Sequence, residues 1–348
     1  MKTTAIKRNP IFNPEGTDEL SERRIIKGNA TGLFNLNNTK YTWATNLYPV
    51  MVGNFWVPEK VAGLWEDANN YIEKLSKGEQ RAYDGILSFL IFLDSIQTVN
   101  LPNFAEYITA PEVSLILSIQ AYQEAIHSQS YATILESVCD NEKKDEIYYF
   151  WKTDKHLLER NKFIWDIYQS FIDEPNDKTF FKWIVGNFLL ESIYFYNGFA
   201  FFDTLANQGK MIATDRMINY IRRDELTHVT IFANIIREIK NEYPEIYDEQ
   251  LIIDMFKVAV KQEIEWSQHI LGKKIIGMSP ANVEQYTKWL ANQRLAMLNI
   301  NPLYPQVTEN PYKHLDIIQD NNAEKANFFE STVVNYWQSS SMKWSWEF

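Results

Sequence analysis

The chain has 348 residues, a mass of 41.0 kDa and a formal charge of −11. That charge argues against a nucleic-acid-binding surface, which needs clustered Lys and Arg to neutralise phosphate. The single cysteine, Cys139, excludes an internal disulfide framework and fits a reducing cytoplasm, and the first residues carry no apolar run of the secretory kind.

With 45% hydrophobic residues but only 12 Gly and 12 Pro, the composition favours long helices around a large core. Residues 1–50 are weakly periodic and rich in Asn and Pro, and are read as an N-terminal arm. From Glu59 to Leu298 apolar residues recur at helical spacing. Breakers divide them into expected helices at 59–75, 79–107, 112–138, 145–173, 178–208, 213–241, 247–271 and 280–298. Pro102 is expected to kink or end the second of these. Thr109-Ala110-Pro111-Glu112 reads as a helix start, with a cap just before the proline and an acid in the first turn. No stretch reads as a strand ladder and no linker divides the body. Residues 51–302 are therefore expected to form one all-α domain, and 303–348 a C-terminal segment.

Phe180 to Phe202 is apolar and long enough to cross a bilayer, but Glu191 sits near its middle with Asn187 and Asn197 on either side. A buried core helix has the same composition, so no membrane span is expected. A carboxylate inside so apolar a helix needs a partner, because burying it unpaired is costly.

The histidines supply that partner. Two of the five have a glutamate three residues earlier, in Glu124-Ala125-Ile126-His127 and Glu225-Leu226-Thr227-His228. Residues three apart share a helix face, so each pair can converge on one ion. Asp94 precedes Glu124 by 30 residues (124 − 94), and Glu191 precedes Glu225 by 34 (225 − 191). They occupy near-identical words, Leu93-Asp94-Ser95-Ile96 and Leu190-Glu191-Ser192-Ile193. A carboxylate helix followed by an ExxH helix thus occurs twice. Four helices deliver four carboxylates and two imidazoles, the ligand set of ferritin-like dimetal carboxylate bundles. Such donors suit iron or manganese.

These motifs, from Phe55 to the C-terminus, resemble the small subunit of class I ribonucleotide reductases. The resemblance implies one metal site at Asp94, Glu124 and His127 and another at Glu191, Glu225 and His228. It implies a radical at Tyr131, four residues after the first ligand histidine and on the metal-facing stripe. Phe195, Phe199 and Ile221 match the family's apolar pocket around that radical. Trp56 and Asp224 match its electron-transfer pair, and Asp224 also suits the ordinary task of orienting His127. Tyr336, after the matching segment from Lys325, corresponds to the tail tyrosine. The closing Trp344-Ser345-Trp346-Glu347-Phe348 offers aromatic anchors for a partner's groove.

The implied protein is a cytoplasmic homodimer with a ferritin-like helical bundle and flexible arms at both ends. Its dimetal centre oxidises Tyr131, and the oxidising equivalent passes to a large subunit docked on the C-terminal tail, where ribonucleotides, by family default diphosphates, are reduced. A di-iron centre is the first expectation; dimanganese and mixed manganese–iron centres stay open, as does an activating flavoprotein. The rivals are another dimetal oxidase or oxygenase, which has no use for Tyr131, Trp56 and Tyr336 together, and an iron-storage protein, which needs only one short bundle.

Overall fold

A computed structural model of the chain describes residues 5–273 and 275–315. Eleven α-helices make up most of the described residues: α1 (Thr42–Gly53), α2 (Leu64–Glu73), α3 (Lys77–Ala105), α4 (Pro111–Val138), α5 (Asn141–Thr153), α6 (Lys155–Asp173), α7 (Asp177–Leu189), α8 (Tyr196–Asn207), α9 (Ile212–Glu242), α10 (Glu249–Leu271) and α11 (Pro280–Met297). Among the described residues there is no strand, only the isolated bridges Ala5–Asn176 and Ile26–Ile108. The all-α ferritin-like expectation holds.

Local chemistry explains where the helices differ from the expected ones. The predicted 59–75 helix is a short 3-10 turn, Pro58–Lys60, followed by α2. Gly63 separates them at φ +97°, a conformation that costs a residue with a side chain far more. The predicted 145–173 helix is two helices. Asp154 breaks it by turning its carboxylate onto the backbone N–H groups of His156 and Leu157, at 3.0 and 3.1 Å, so that it caps α6. Ser76 and Glu79 form a reciprocal capping box at the start of α3. Pro102 lies inside the last turn of α3 rather than ending it. Pro111 opens α4 as expected, but Thr109 does not cap it; its hydroxyl donates to the carbonyl of Arg24 at 2.7 Å instead.

α1 is a helix in a stretch that looked aperiodic. Ala44, Leu47 and Met51 are its buried face, and Asn46 and Pro49 between them obscure the spacing. Ahead of it, the N-terminal segment lies along the bundle, with Ile25 and Ile26 fully buried. Arg23 pairs with the buried Glu112 of α4 at 3.2 Å, and Tyr41 donates to Glu242 of α9 at 2.7 Å.

The predicted 178–208 helix is interrupted by a five-residue π segment, Leu190–Tyr194, between α7 and α8. Such wide turns cluster at functional sites, and this one carries Glu191. The apolar Phe180–Phe202 stretch is buried by protein on nearly every side. α3 is by length and composition apolar enough to cross a membrane, but most of its apolar stretch is covered by the bundle. At the centre, α3 packs on α4, and α9 packs on α4, α7 and the π segment.

Candidate metal centre

Asp94 comes from α3, Glu124 and His127 from α4, Glu191 from the π segment, and Glu225 and His228 from α9; all six are fully buried. Both imidazoles turn Nδ1 inward. Nδ1 of His127 lies 3.0 Å from Glu225, 3.4 Å from Glu124 and 3.8 Å from Asp94. Nδ1 of His228 lies 3.0 Å from Glu225, 3.2 Å from Glu124 and 3.6 Å from Glu191. Two groups result, Asp94–Glu124–His127–Glu225 and Glu124–Glu191–Glu225–His228, each able to hold an ion with its donor atoms within 4.8 Å of one another. The pattern in sequence divides the six into separate triads; the geometry places Glu124 and Glu225 in both groups.

The outward nitrogens are held as well. Nε2 of His228 meets the amide oxygen of Gln123 at 2.9 Å, and Nε2 of His127 meets Asp224 at 3.3 Å. An amide oxygen only accepts, so the Nε2 hydrogen is fixed and the Nδ1 lone pair of a neutral imidazole faces the centre. Asp224 also accepts from the Trp56 indole at 2.8 Å. Trp56 stacks on Tyr220, and beside it an apolar cavity of about 230 Å³ opens among Met51, Val52, Phe55, Ile119, Tyr122 and Ile126. The structure thus brings Trp56, Asp224 and His127 into one hydrogen-bonded line.

Glu191 has amide donors on one oxygen, from Gln120 at 2.9 Å and from Gln97. Behind Gln97, Asn187, Asn100 and Tyr168 form a buried hydrogen-bonded set that ends on the Trp183 indole. Sequence reasoning missed Gln97, Gln120 and Gln123. Their signal was polar side chains on apolar helices, about one turn from Asp94, Glu124 and His127 respectively.

The donor set fits two cations. Both oxygens of Asp94, Oε2 of Glu124, Nδ1 of His127, Oε2 of Glu191 and Oε1 of Glu225 are buried without hydrogen-bond partners, an arrangement native interiors avoid unless something else binds there. Like charges about 5 Å apart repel by roughly 3 kcal/mol even at an effective dielectric of about 20. Such repulsion favours protonating part of the set when no cation is bound. Burial first, then Glu124 and Glu225, push the Asp94 carboxyl well above its usual range, and burial with the same two neighbours does so for Glu191. Burial works against protonating His127, but the carboxylates of Asp224, Glu124 and Glu225 around it outweigh that and raise its pKa. Two divalent cations would cancel four carboxylate charges with neutral imidazoles, all on hard oxygen and imidazole donors.

Tyr131 is fully buried, with its hydroxyl beside the Asp94 carboxylate. Burial first, then the charge of Asp94, push its phenol pKa well above normal. Phe195, Phe199 and Ile221 are equally buried, and the two phenylalanine rings stack 5.9 Å apart. The π segment separates Glu191 from Phe195, and its wider turn shifts the helical register between them. Tyr336 and the closing aromatics lie outside the described residues.

A helical bundle that converges four carboxylates and two imidazoles on one buried point is a ferritin-like protein with a dimetal-type ligand set. Residues 33–311 match the family model "Ribonucleotide reductase, small chain". The chain is 42% identical over 345 residues to a ribonucleoside-diphosphate reductase subunit beta from Treponema pallidum, covering 98% of each protein. It is 38% identical over 315 residues to the subunit beta of Halalkalibacterium halodurans, covering 90% of this chain and 91% of that one. Among solved structures, the ribonucleotide reductase R2 subunit from Clostridium botulinum superposes with a TM-score of 0.86 at 45% identity, over 90% of this chain and 98% of the other. The chain belongs to the ribonucleotide reductase small-chain family.

Proposed function

We propose that this chain generates and stores an oxidising equivalent on Tyr131 and passes it to a separate large subunit that reduces ribonucleoside diphosphates. The observation that carries this reading is the juxtaposition of six convergent donors with a sealed tyrosine whose strongest charged neighbour is the ligand Asp94. Asp94, Glu124 and His127 would hold one cation and Glu191, Glu225 and His228 the other, a reading supported by Glu124 and Glu225 belonging to both donor groups. When bound, the pair of iron or manganese ions supplies the one-electron oxidising power that no side chain has.

The remaining tasks belong to the chain. Asp94 takes the phenolic proton of Tyr131, a short transfer that avoids charging the interior. Phe195, Phe199 and Ile221 exclude water and reductants from the oxidised ring. Asp224 fixes the His127 tautomer and holds the Trp56 N–H, so that one carboxylate links the centre to the edge of the bundle. Tyr336 and the closing aromatic residues continue the route and dock the large subunit. The chain acts as a cytoplasmic homodimer, and an activating flavoprotein is needed if the ions are manganese.

The test is electron paramagnetic resonance of the metal-loaded protein after exposure to oxidant. A tyrosyl signal is expected, with two ions per chain. Tyr131→Phe should keep the fold and both ions while losing the signal and nucleotide reduction. Full turnover in that variant would place the stored equivalent elsewhere.

A further inference from the structure

The π segment that carries Glu191 has a backbone problem. Widening a helical turn by one residue interrupts the regular ladder and leaves carbonyl groups short of N–H donors, which is costly in the interior. Two buried arginines from other helices donate to carbonyls of this segment. Arg160 of α6 donates from Nη2 to the carbonyl of Tyr194 at 3.3 Å, and Arg294 of α11 donates from Nε to the carbonyl of Ser192 at 3.4 Å. Their exposures are 2% and 8%.

Each guanidinium is fixed independently of the carbonyl it serves. Arg160 pairs with the buried Glu263 of α10 at 2.5 Å, and its planar head lies 3.8 Å from the Phe89 ring centroid and 4.7 Å from that of Tyr194. Glu263 in turn accepts from Asn197 of α8 and Ser267, both at 3.0 Å. Arg294 lies 4.8 Å over the ring of Tyr196, the first residue of α8. The residues around the wide turn, from Ser192 to Asn197, are thereby tied to α6, α10 and α11. Buried arginine is expensive, and an ordinary helix would ask nothing of it here.

We propose that Arg160 and Arg294 are positioning residues that hold the π segment open and thereby aim Glu191 at the centre. This rests on the two-ion reading above. Glu191 belongs only to the group that contains His228, whereas Glu124 and Glu225 belong to both. Loss of the clamp therefore weakens one ion and spares the other. A general loosening of the bundle would weaken both.

The experiment titrates manganese(II) into the metal-free full-length protein by calorimetry, with wild type, Arg294→Met and Arg294→Lys. A fourth variant, Arg160→Met combined with Glu263→Gln, avoids leaving a buried carboxylate unpaired. Wild type should bind two ions per chain. Arg294→Met and the double variant should bind the second ion about tenfold to a hundredfold more weakly, the range for loss of groups that orient ligands, with the first ion unchanged. Arg294→Lys, which can still place one donor on a carbonyl, should recover most of that affinity. A crystal structure of Arg294→Met should show residues 190–194 as ordinary α-helix with Glu191 turned away. Two ions at wild-type affinity in Arg294→Met would overturn the clamp, as would equal weakening of both. Fewer than two ions in wild type would overturn the two-ion reading itself.

Discussion

The two flanks of the centre are built differently. On the Glu191 flank one carboxylate oxygen receives Gln97 and Gln120, the amides are backed by Asn187, Asn100 and Tyr168, and the backbone beyond is held by Arg160 and Arg294. On the Asp94 flank no amide reaches the carboxylate, and the group beside it is the Tyr131 hydroxyl. Both flanks are buried to the same degree, so solvent does not explain the difference. A carboxylate with donors is pinned; one without them is free to turn and to accept a proton. The bare flank is the one that faces the tyrosine.

The largest expected effect concerns charge on both flanks. Asp94 and Glu191 have carboxyl pKa values raised by burial, and His127 and His228 are raised by the carboxylates around them despite burial. All four therefore carry protons in the metal-free chain at pH values above their ordinary titration ranges. Metal ligands must be deprotonated, so ion affinity should rise with pH, by about tenfold per unit for each proton displaced. Calorimetry in buffers of different ionisation enthalpy counts those protons. Binding that neither releases protons nor changes with pH would remove the electrostatic basis of the fit.

The contrast between flanks is tested next by Gln97→Leu combined with Gln120→Leu. Glu191 then loses both donors while the Asp94 flank is untouched. The ion on the His228 side should weaken by about tenfold to a hundredfold, and the other should keep its affinity in a manganese(II) titration. Equal weakening would show that the amides only support the bundle.

A matched pair of tyrosines gives the smallest and cleanest comparison. Tyr168 donates toward Gln97 and Asn187 at 3.2 and 3.3 Å, so Tyr168→Phe should cost about 1–2 kcal/mol in thermal or denaturant unfolding of the metal-free protein. Tyr131→Phe removes a hydroxyl that no amide holds and should change stability by less than about 1 kcal/mol. If Tyr131→Phe costs as much as Tyr168→Phe, the Asp94 flank is not bare.

Much of the centre could be read before any coordinates because its ligands are chemically loud. Carboxylates at 94 and 191 interrupt apolar helices, and histidine at helical spacing from glutamate repeats the signal. The all-α bundle followed from the same apolar periodicity. What escaped has no such signature. Gln97, Gln120 and Gln123 look like any polar residue on a helix until the neighbouring helix arrives. The π segment is written in ordinary helix formers, and its stability comes from arginines more than thirty residues before it and about a hundred after it. The break at Asp154 was missed because a capping aspartate in the middle of a periodic stretch is indistinguishable from a surface acid. α1 was hidden by Pro49, although three apolar residues already marked its buried face.

The N-terminal segment also bears on how the chain is made. Its partners are distant in sequence: Arg23 reaches Glu112 across 89 positions, Tyr41 reaches Glu242 across 201, and the Ile25 N–H reaches Glu242 across 217. Synthesis runs at about 5–20 residues per second, so the first residues to emerge wait on the order of 10–40 seconds for their acceptor on α9. Until then the Ile25 N–H lacks its acceptor. The contacts of this segment with α9 therefore cannot precede the synthesis of α9, although its own residues are made long before.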